Sequence, residues 1–487
     1  MRLTKTTMKA ILTDLTTEQK AIIDHLMLVF CTAIRYSFKR QLEGKPIGAL
    51  EKMVANIYSL NIRQAKDAVE SARQTISSQH ELVKLNHRNY AKKVDVLLKK
   101  LKHPKLSGLK LKALTSKLAK RQRKLAYWTV FLTSRTFPPV TFGTKEMFLR
   151  RCKGLITKKE WQDKRNNRLY SRGDKSKGGN PNLRVVFKDG ISFLEISKIE
   201  KTKTNRAVKV IMPIYLPQKL SKKTGKINGI HYRQLFLDSL ERGDAYQVEI
   251  LRREGKYYVH ITFEELEAKV LFTGHRSMLG ADTNSDGFGL TEVSRQGNYQ
   301  SHAYLRQHEL TFCRSDRRLN LCGELVRDVV AKAEKHQCGL AFEDLKFKDD
   351  RDVTAKLARI SSQFVYATLL QMLERSCLRR GAEYVKVRPQ YTSKIGLYKY
   401  CHQYGLDVHN GAALVIARRS YGLSESVPKL LRDKLITEKK LAQFHVKNEW
   451  SQWSEVTKQI GKLSKKRKEV NSPGLWLANR KRLLGIT

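Results

Sequence analysis

Hydrophobic and polar positions change period twice along this chain. Residues 3 to 12 read as one strand, after which Thr16-Thr17-Glu18-Gln19 sets capping-type residues ahead of Ile22, Ile23, Leu26, Leu28, Val29 and Phe30. A helical pattern starts there and runs to about Phe137. It is broken at His103-Pro104 and Gly108 into two Lys-rich arms, 84 to 102 and 109 to 132, which predict a helical hairpin. Pro138-Pro139 ends this block, and the period falls from 3.6 to 2. Segments 183 to 188, 191 to 197, 207 to 214, 246 to 251 and 256 to 264 predict strands, with Arg253-Glu254-Gly255 as a hairpin turn. Arg165 to Asn182, rich in Arg, Lys, Gly and Asn, predicts a mobile loop, and Lys219 to Lys226 a second polar loop. The strand at 3 to 12 has no neighbour of its own kind, so it is expected to pair with the later sheet and make the helices an insertion.

The C-terminal half alternates instead. Met278-Leu279-Gly280-Ala281-Asp282 is a short strand, and Phe288 to Val293 and Tyr299 to Leu305 form a hairpin across Arg295-Gln296-Gly297-Asn298. Leu321, Leu325, Val329, Val330 and Ala333 make a helical stripe before the strand Gly339 to Phe342. Phe364, Ala367, Leu370, Met372 and Leu373 make a second, before the strand Ala382 to Val387 and an Ala-rich helix starting near His409. Strand, hairpin, helix, strand, helix, strand, helix is the order of an RNase H-like α/β domain. From 427 to the end the chain is Lys-rich and helical, with Trp450, Trp453 and Trp476 as packing anchors. The fold class expected is multidomain α+β.

Charge narrows the function. Ninety-five Lys plus Arg against 46 Asp plus Glu give 487 residues a formal charge of +49. Such an excess repels itself unless a polyanion takes it up, which excludes an ordinary metabolic enzyme and points to nucleic acid. The hairpin arms concentrate it in Lys93, Lys99, Lys100, Lys110, Lys112, Lys117, Lys120, Arg121, Arg123 and Lys124. A hydrophobic fraction of 41% excludes a disordered basic tail, and the length suggests about three folded units. No stretch approaches the roughly 18 to 20 uninterrupted apolar residues of a membrane span, and MRLTKTTMKAILTDL has no signal-peptide core. A cytoplasmic or nucleoid-bound protein is expected. Seven scattered cysteines, with no C-x-x-C, read as reduced, buried, small hydrophobes.

In so basic a chain, carboxylates at the ends of buried strands need a reason, because an isolated buried charge is costly unless paired or metal-bound. Asp282 ends the first strand of the alternating half, Glu343 with Asp344 ends Gly339 to Phe342, and Asp407-Val408-His409 precedes the last helix. Phosphodiester hydrolysis by two metal ions about 4 Å apart needs such converging acidic ligands. Each site alone has a plainer reading: Glu343-Asp344 as an acidic helix start and Asp407 as an N-cap. The run Asp282 to Gly287 opens like a calcium loop, but Val293 stands where that loop needs Glu, and a strand precedes it. Their joint order along the α/β alternation favours a nuclease.

GADTNSDGFGL (280 to 290), LAFEDLKF (340 to 347) and YGLDVHNGAALVIARR (404 to 419), linked by YTSKIG (391 to 396), resemble the three split RuvC motifs of TnpB-type transposon proteins and the related compact type V CRISPR effectors. The motif match covers about 150 residues. Ahead of it the likeness is architectural: a first strand of a wedge domain at 1–16, a helical recognition lobe at 17–137, a β-barrel-like wedge domain at 138–276, the split RuvC domain at 277–426 and a basic helical segment at 427–487. The resemblance implies RNA-guided DNA cleavage by a prokaryotic, nucleoid-associated protein. Its partners would be a guide RNA and double-stranded target DNA with its displaced strand, and its cofactors two Mg2+ ions, with Mn2+ as the alternative. Asp282 and Glu343 take the first and second carboxylate positions. The sequence leaves open whether one chain or a homodimer holds the guide.

Two departures matter. Between the YTS motif and the third RuvC motif the family carries a four-cysteine zinc ribbon, whereas here the interval Ile395 to Gln403 has Cys401 alone, so no zinc is expected. The family pattern D-x-N-A-A, counted back from Ala412-Ala413-Leu414-Val415-Ile416, sets His409 at the Asp position, and Asp407 fits only with a two-residue offset. Both remain candidates for the third position, Asp407 preferred because Mg2+ favours oxygen ligands. These departures keep one alternative in view, a guided DNA-binding protein without cleavage that acts as a repressor or targeting subunit; a second, a guide-free RuvC-like nuclease, would not need the large helical and β domains ahead of the nuclease.

Overall fold

The structure is a computed structural model that describes residues 3–101, 108–202, 207–217, 231–345, 363–463 and 470–485. It divides into two compact units, Arg2–Glu265 and Leu266–Thr487. Two, rather than about three, is the first departure from expectation. It arises because neither helical block has a core of its own.

In the N-terminal unit β1 (Leu3–Leu12) leads into α1 (Thr17–Leu42), α2 (Ile47–Ile57), α3 (Ile62–Leu101) and α4 (Gly108–Thr133). Thr16 and Gln19 form a reciprocal capping box at the start of α1. Ile23, Leu26, Met27, Phe30, Ala33 and Ile34 of α1 are buried in one core with Met8, Ala10 and Leu12 of β1. By length and composition α1 matches a membrane-crossing helix, but half of its apolar window is buried in this unit. It is a core helix. After α5 (Lys145–Cys152) and α6 (Lys158–Arg165) come β2 (Arg168–Ser171), β3 (Leu183–Lys188), β4 (Ile191–Lys201), β5 (Ala207–Tyr215), α7 (Tyr232–Glu241), β6 (Gln247–Arg253) and β7 (Lys256–Leu266). The seven strands run in the order β2-β6-β7-β1-β5-β4-β3, so β1 lies inside the sheet, between β7 and β5.

The sheet curls, and its edge strands are latched by side chains. Asn180 donates through Nδ2 to the carbonyls of Ser171 and Tyr246, and its Oδ1 accepts from the Leu183 and Asn182 amides. The Tyr246 hydroxyl accepts the Val185 amide at 2.8 Å. Asp67 of α3, buried, binds both the Arg172 guanidinium and its backbone amide. Arg165 to Asn182, expected as a mobile loop, is therefore an ordered crossing that contains β2. The helices α5, α6 and α7 were not expected either; each is ten residues or fewer, too short to stand out as a periodic element. The arms α3 and α4 pack together, with the Arg121 guanidinium and the Lys93 ammonium both over the Tyr90 ring. Their junction at His103-Pro104, like the loop Lys219 to Lys226, lies outside the described residues. No residue of α4 is buried.

In the C-terminal unit β8 (Thr273–Asn284), β9 (Gly287–Ser294) and β10 (Tyr299–Arg306) form an antiparallel meander. Then follow α8 (Ser315–His336), β11 (Cys338–Glu343), α9 (Gln363–Arg380), β12 (Tyr384–Val387) and α10 (Val408–Ser420). The sheet order is β10-β9-β8-β11-β12, with β11 parallel to both β8 and β12. Strand periodicity sends alternate residues to opposite faces. Leu279, Ala281, Leu340 and Phe342 pack with Val329 and Val330 of α8 and Leu369 and Leu373 of α9. Met278 and Ala341 join the other core, with Leu414 to Ala417 of α10. That core also takes in the C-terminal helices α11 (Lys429–Leu435), α12 (Glu438–Val446), α13 (Glu449–Leu463) and α14 (Pro473–Leu484) through Phe444, Trp453 and Trp476. Trp450 is half-buried instead, under the Arg419 guanidinium.

A buried carboxylate ties these helices to the sheet. Glu425 accepts from Arg418, Lys399 and the Tyr400 hydroxyl, and its carbonyl accepts the Trp453 indole at 2.6 Å. With three donors on one carboxylate, its burial is compensated. All seven cysteines are free thiols, five of them buried; Cys152 is exposed at the end of α5 and Cys313 is half-buried, contrary to the expectation of uniform burial.

Candidate active site

The parallel register of β8 and β11 sets the two leading carboxylates side by side. Ala341 pairs with Gly280 and Phe342 with Ala281, so Glu343 follows one step beyond, level with Asp282. Both project to the face covered by α10, since each lies two residues from a side chain or glycine on that face. Two glycines let α10 come this close. A Cβ on Gly280 would collide with the Ala413 carbonyl oxygen, and one on Gly289 would stand 2.8 Å from the His409 carbonyl carbon. Asn410 fixes the contact: its Oδ1 accepts the Leu290 amide and its carbonyl accepts the Thr291 hydroxyl.

This places His409 directly over Asp282, with Nδ1 3.0 Å from Oδ2. Asn284 donates to the same carboxylate oxygen at 3.1 Å. Asp407 takes a different role. Its Oδ1 accepts the amides of His409 and Asn410, both at 2.8 Å, and its Oδ2 accepts the Asn410 side-chain amide. It is the N-cap of α10, with both oxygens engaged. The Asp407-Val408-His409 segment thus divides: Asp407 holds the helix, and His409 faces the carboxylates. Asp344, beside Glu343, is exposed.

Glu343 is oriented by a residue that sequence reasoning passed over. The Thr392 hydroxyl, itself buried, donates to Glu343 Oε1 at 2.7 Å, from a helical turn that begins at Tyr391 in the left-handed region, φ 60°. Thr392 is the Thr of the YTS motif, so the signal was present but had no role attached. Asn284, Gly289 and Asn410 are likewise visible only once the strands are paired.

The electrostatics are those of two like charges buried together. Burial first, and then the charge of Asp282, push the Glu343 carboxyl from its ordinary 4.5 up to about 7. Burial also raises Asp282, against the pull of His409. The hydrogen bond to Asp282 raises His409 in turn, favouring the imidazolium that donates to that carboxylate. Among the described residues, no group of three or more His, Cys, Asp or Glu side chains is gathered to hold a metal ion. What is present is a buried carboxylate pair whose mutual repulsion His409 and Thr392 offset only in part. That donor set suits a hard divalent cation of the kind that takes one or two carboxylates and fills its other positions with water and phosphate oxygens.

No curated protein matches the chain. Among solved structures it is similar to the protein in a cryo-EM structure of a Cas12f1–sgRNA–target DNA complex, at 12% identity and a TM-score of 0.37, covering 85% of this chain and 99% of that one. It is also similar to Thermus thermophilus RuvC, at 14% identity and a TM-score of 0.23, over 30% of this chain and 95% of that one. A crystal structure of a Cas12i1–crRNA binary complex matches at 11% identity and a TM-score of 0.24, over 89% of this chain and 57% of that one. Residues 5–270, more than half of the chain, match the model of a protein family described as the SSO2105 N-terminal domain, and the chain belongs to that family.

Proposed function

We propose that this chain is an RNA-guided, Mg2+-dependent DNA endonuclease with one RuvC-type, RNase H-like site, of the TnpB and compact type V kind. The observation that carries the reading is the meeting of Asp282 and Glu343 at the ends of neighbouring parallel strands, buried on one face, with His409 above Asp282. Support comes also from the sheet order, from the three motifs and from the basic α3–α4 hairpin. Asp282 and Glu343 hold the metal, Thr392 orients Glu343, and His409 fixes the rotamer of Asp282. A bound Mg2+ or Mn2+ supplies Lewis-acid stabilisation of the leaving oxygen and a water of lowered pKa. The Lys and Arg side chains of the helical lobe take up guide and target backbones, while base pairing reads the sequence and the protein reads a short flanking duplex.

The test begins with the RNA that co-purifies when the chain is expressed with its native flanking DNA. One abundant species, with a folded constant part and a separate guide segment, is expected. Loaded with it, the protein cuts a matched duplex in Mg2+, and Asp282→Ala abolishes cutting while RNA and DNA binding stay within twofold. Undiminished cleavage by Asp282→Ala removes the site assignment; heterogeneous RNA stripped by salt removes the guide. A second reading, a guided DNA-binding protein without cleavage, is favoured by one observation: Asp407 is spent on the helix cap, and no third acidic ligand joins the pair among the described residues.

A further inference from the structure

The edge strand β10 presents a held arginine beside the carboxylate pair. Tyr304 lies against His409, ring centroids 5.7 Å apart, and His409 in turn contacts Asp282. Two residues on, and so on the same face of the strand, the Arg306 guanidinium lies over the Tyr304 ring, 4.7 Å from its centroid. Asp286, in the turn between β8 and β9, fastens both. Its Oδ1 accepts the Tyr304 hydroxyl at 2.8 Å, and its Oδ2 lies 3.3 Å from Arg306 Nε. The Arg306 side chain is nonetheless 53% exposed.

A guanidinium stacked on a ring and paired through Nε with a carboxylate holds its planar fork at a half-exposed surface, and such a fork suits two oxygens of a phosphate. The charge placement is also unusual. Arg306 is not among the groups that act most on Asp282 or Glu343, and beyond its Asp286 pair the half-exposed side chain can meet an anion brought from outside. We propose that Arg306 is the phosphate-binding residue that seats the substrate strand at this site, with Tyr304 as its platform and Asp286 as its anchor, and that the ligand is a backbone phosphodiester of single-stranded nucleic acid. The inference rests on the nuclease reading only for the identity of the strand.

The test reads binding rather than cutting. The full chain in EDTA is titrated with a fluorescent 12-nucleotide single-stranded DNA at several salt concentrations. Loss of one phosphate contact lowers the slope of log K against log salt by about 0.7 for a single strand. Arg306→Gln is expected to show that drop, and Arg306→Lys to keep the slope while weakening binding, because it retains the charge and loses the fork. Because a chain of +49 binds DNA at many places, a residue-level readout accompanies it. Phenylglyoxal modification of Arg306, followed by peptide mass spectrometry, is expected to fall several-fold when the oligonucleotide is present. An unchanged slope in Arg306→Gln, or an Arg306 equally reactive with and without DNA, overturns the proposal. Cleavage is not involved, so an inactive protein with a protected Arg306 removes the nuclease reading and leaves this one standing.

Discussion

Ionising Glu343 in the metal-free protein should cost stability, and the cost follows from its surroundings. Its carboxyl sits at about 7 instead of 4.5, chiefly from burial and then from Asp282. Below pH 4.5 the native and unfolded chains both keep the proton, between 4.5 and about 7 only the native chain keeps it, and above that the native chain must release it into a buried site. The stability contributed by this group is therefore complete below 4.5, declines as pH rises toward 7, and is lost above it. At roughly 1.4 kcal/mol per pH unit the loss is about 3 kcal/mol. Glu343→Gln keeps an acceptor for the Thr392 hydroxyl and removes the ionisation. Hydrogen exchange of the peptide spanning β11, corrected for intrinsic rates, reads local opening without assuming that the two units unfold together. In EDTA, between pH 5 and 8.5, the opening free energy of the wild type should fall by about 3 kcal/mol relative to Glu343→Gln. Adding Mg2+ at pH 8 should restore most of it, and only in the wild type. Parallel pH dependence in the two proteins would refute the argument that a repelled carboxylate sits there.

Three further outcomes follow from the same geometry. Thr392→Val leaves a buried charged acceptor without its donor, which costs about 1–3 kcal/mol, and should weaken Mn2+ binding measured by electron paramagnetic resonance by tenfold or more, whereas Thr392→Ser should bind as the wild type does. Asp407→Asn preserves a good N-cap and should leave target cleavage near its normal rate, Asp407→Ala should cost about 1 kcal/mol in urea denaturation, and His409→Ala should slow cleavage without loss of fold; the reverse ranking would make Asp407 the ligand. Gly289→Ala drives a methyl into the His409 backbone and should destabilise the C-terminal unit by about 1–3 kcal/mol, seen as faster exchange at the start of α10.

How much of this was legible depended on whether a feature is local. Strands with one buried face announce themselves by alternation, so β3 to β7 and β9 to β11 fall within a few residues of their expected places. β8 extends five residues earlier than its apolar run, because Thr273-Gly274-His275-Arg276-Ser277 carries no such pattern. The compact boundary falls at Glu265 rather than at 276. β2 is four residues inside an Arg- and Gly-rich stretch, and what orders it is Asn180, nine residues on, bonded across the two sheet edges. Nothing along the chain advertises that latch. Asp282 and Glu343 were legible because a carboxylate ending an apolar strand is costly wherever it occurs. Thr392 was not, since a threonine in a motif has no chemistry until its hydroxyl is seen to meet Glu343.

The third position shows where spacing and ligand chemistry part. Preference for an oxygen donor favoured Asp407, but a carboxylate two residues ahead of the first helical amides has a competing use, and here that use takes up both oxygens. The offset that fits D-x-N-A-A poorly is the offset of an N-cap. His409 then occupies the motif position, where its imidazole pairs with Asp282 and cannot add to the negative charge around Glu343. On the proposed reading, two carboxylates and an imidazole would carry less negative charge than three carboxylates, and would hold a divalent cation less tightly before substrate arrives. Substrate phosphate would then have to supply more of the coordination, and a neighbouring cation that seats the strand would gain in importance. On this argument His409 and Arg306 are linked: as the acidic site weakens, catalysis depends more on how firmly the phosphate backbone is held against it.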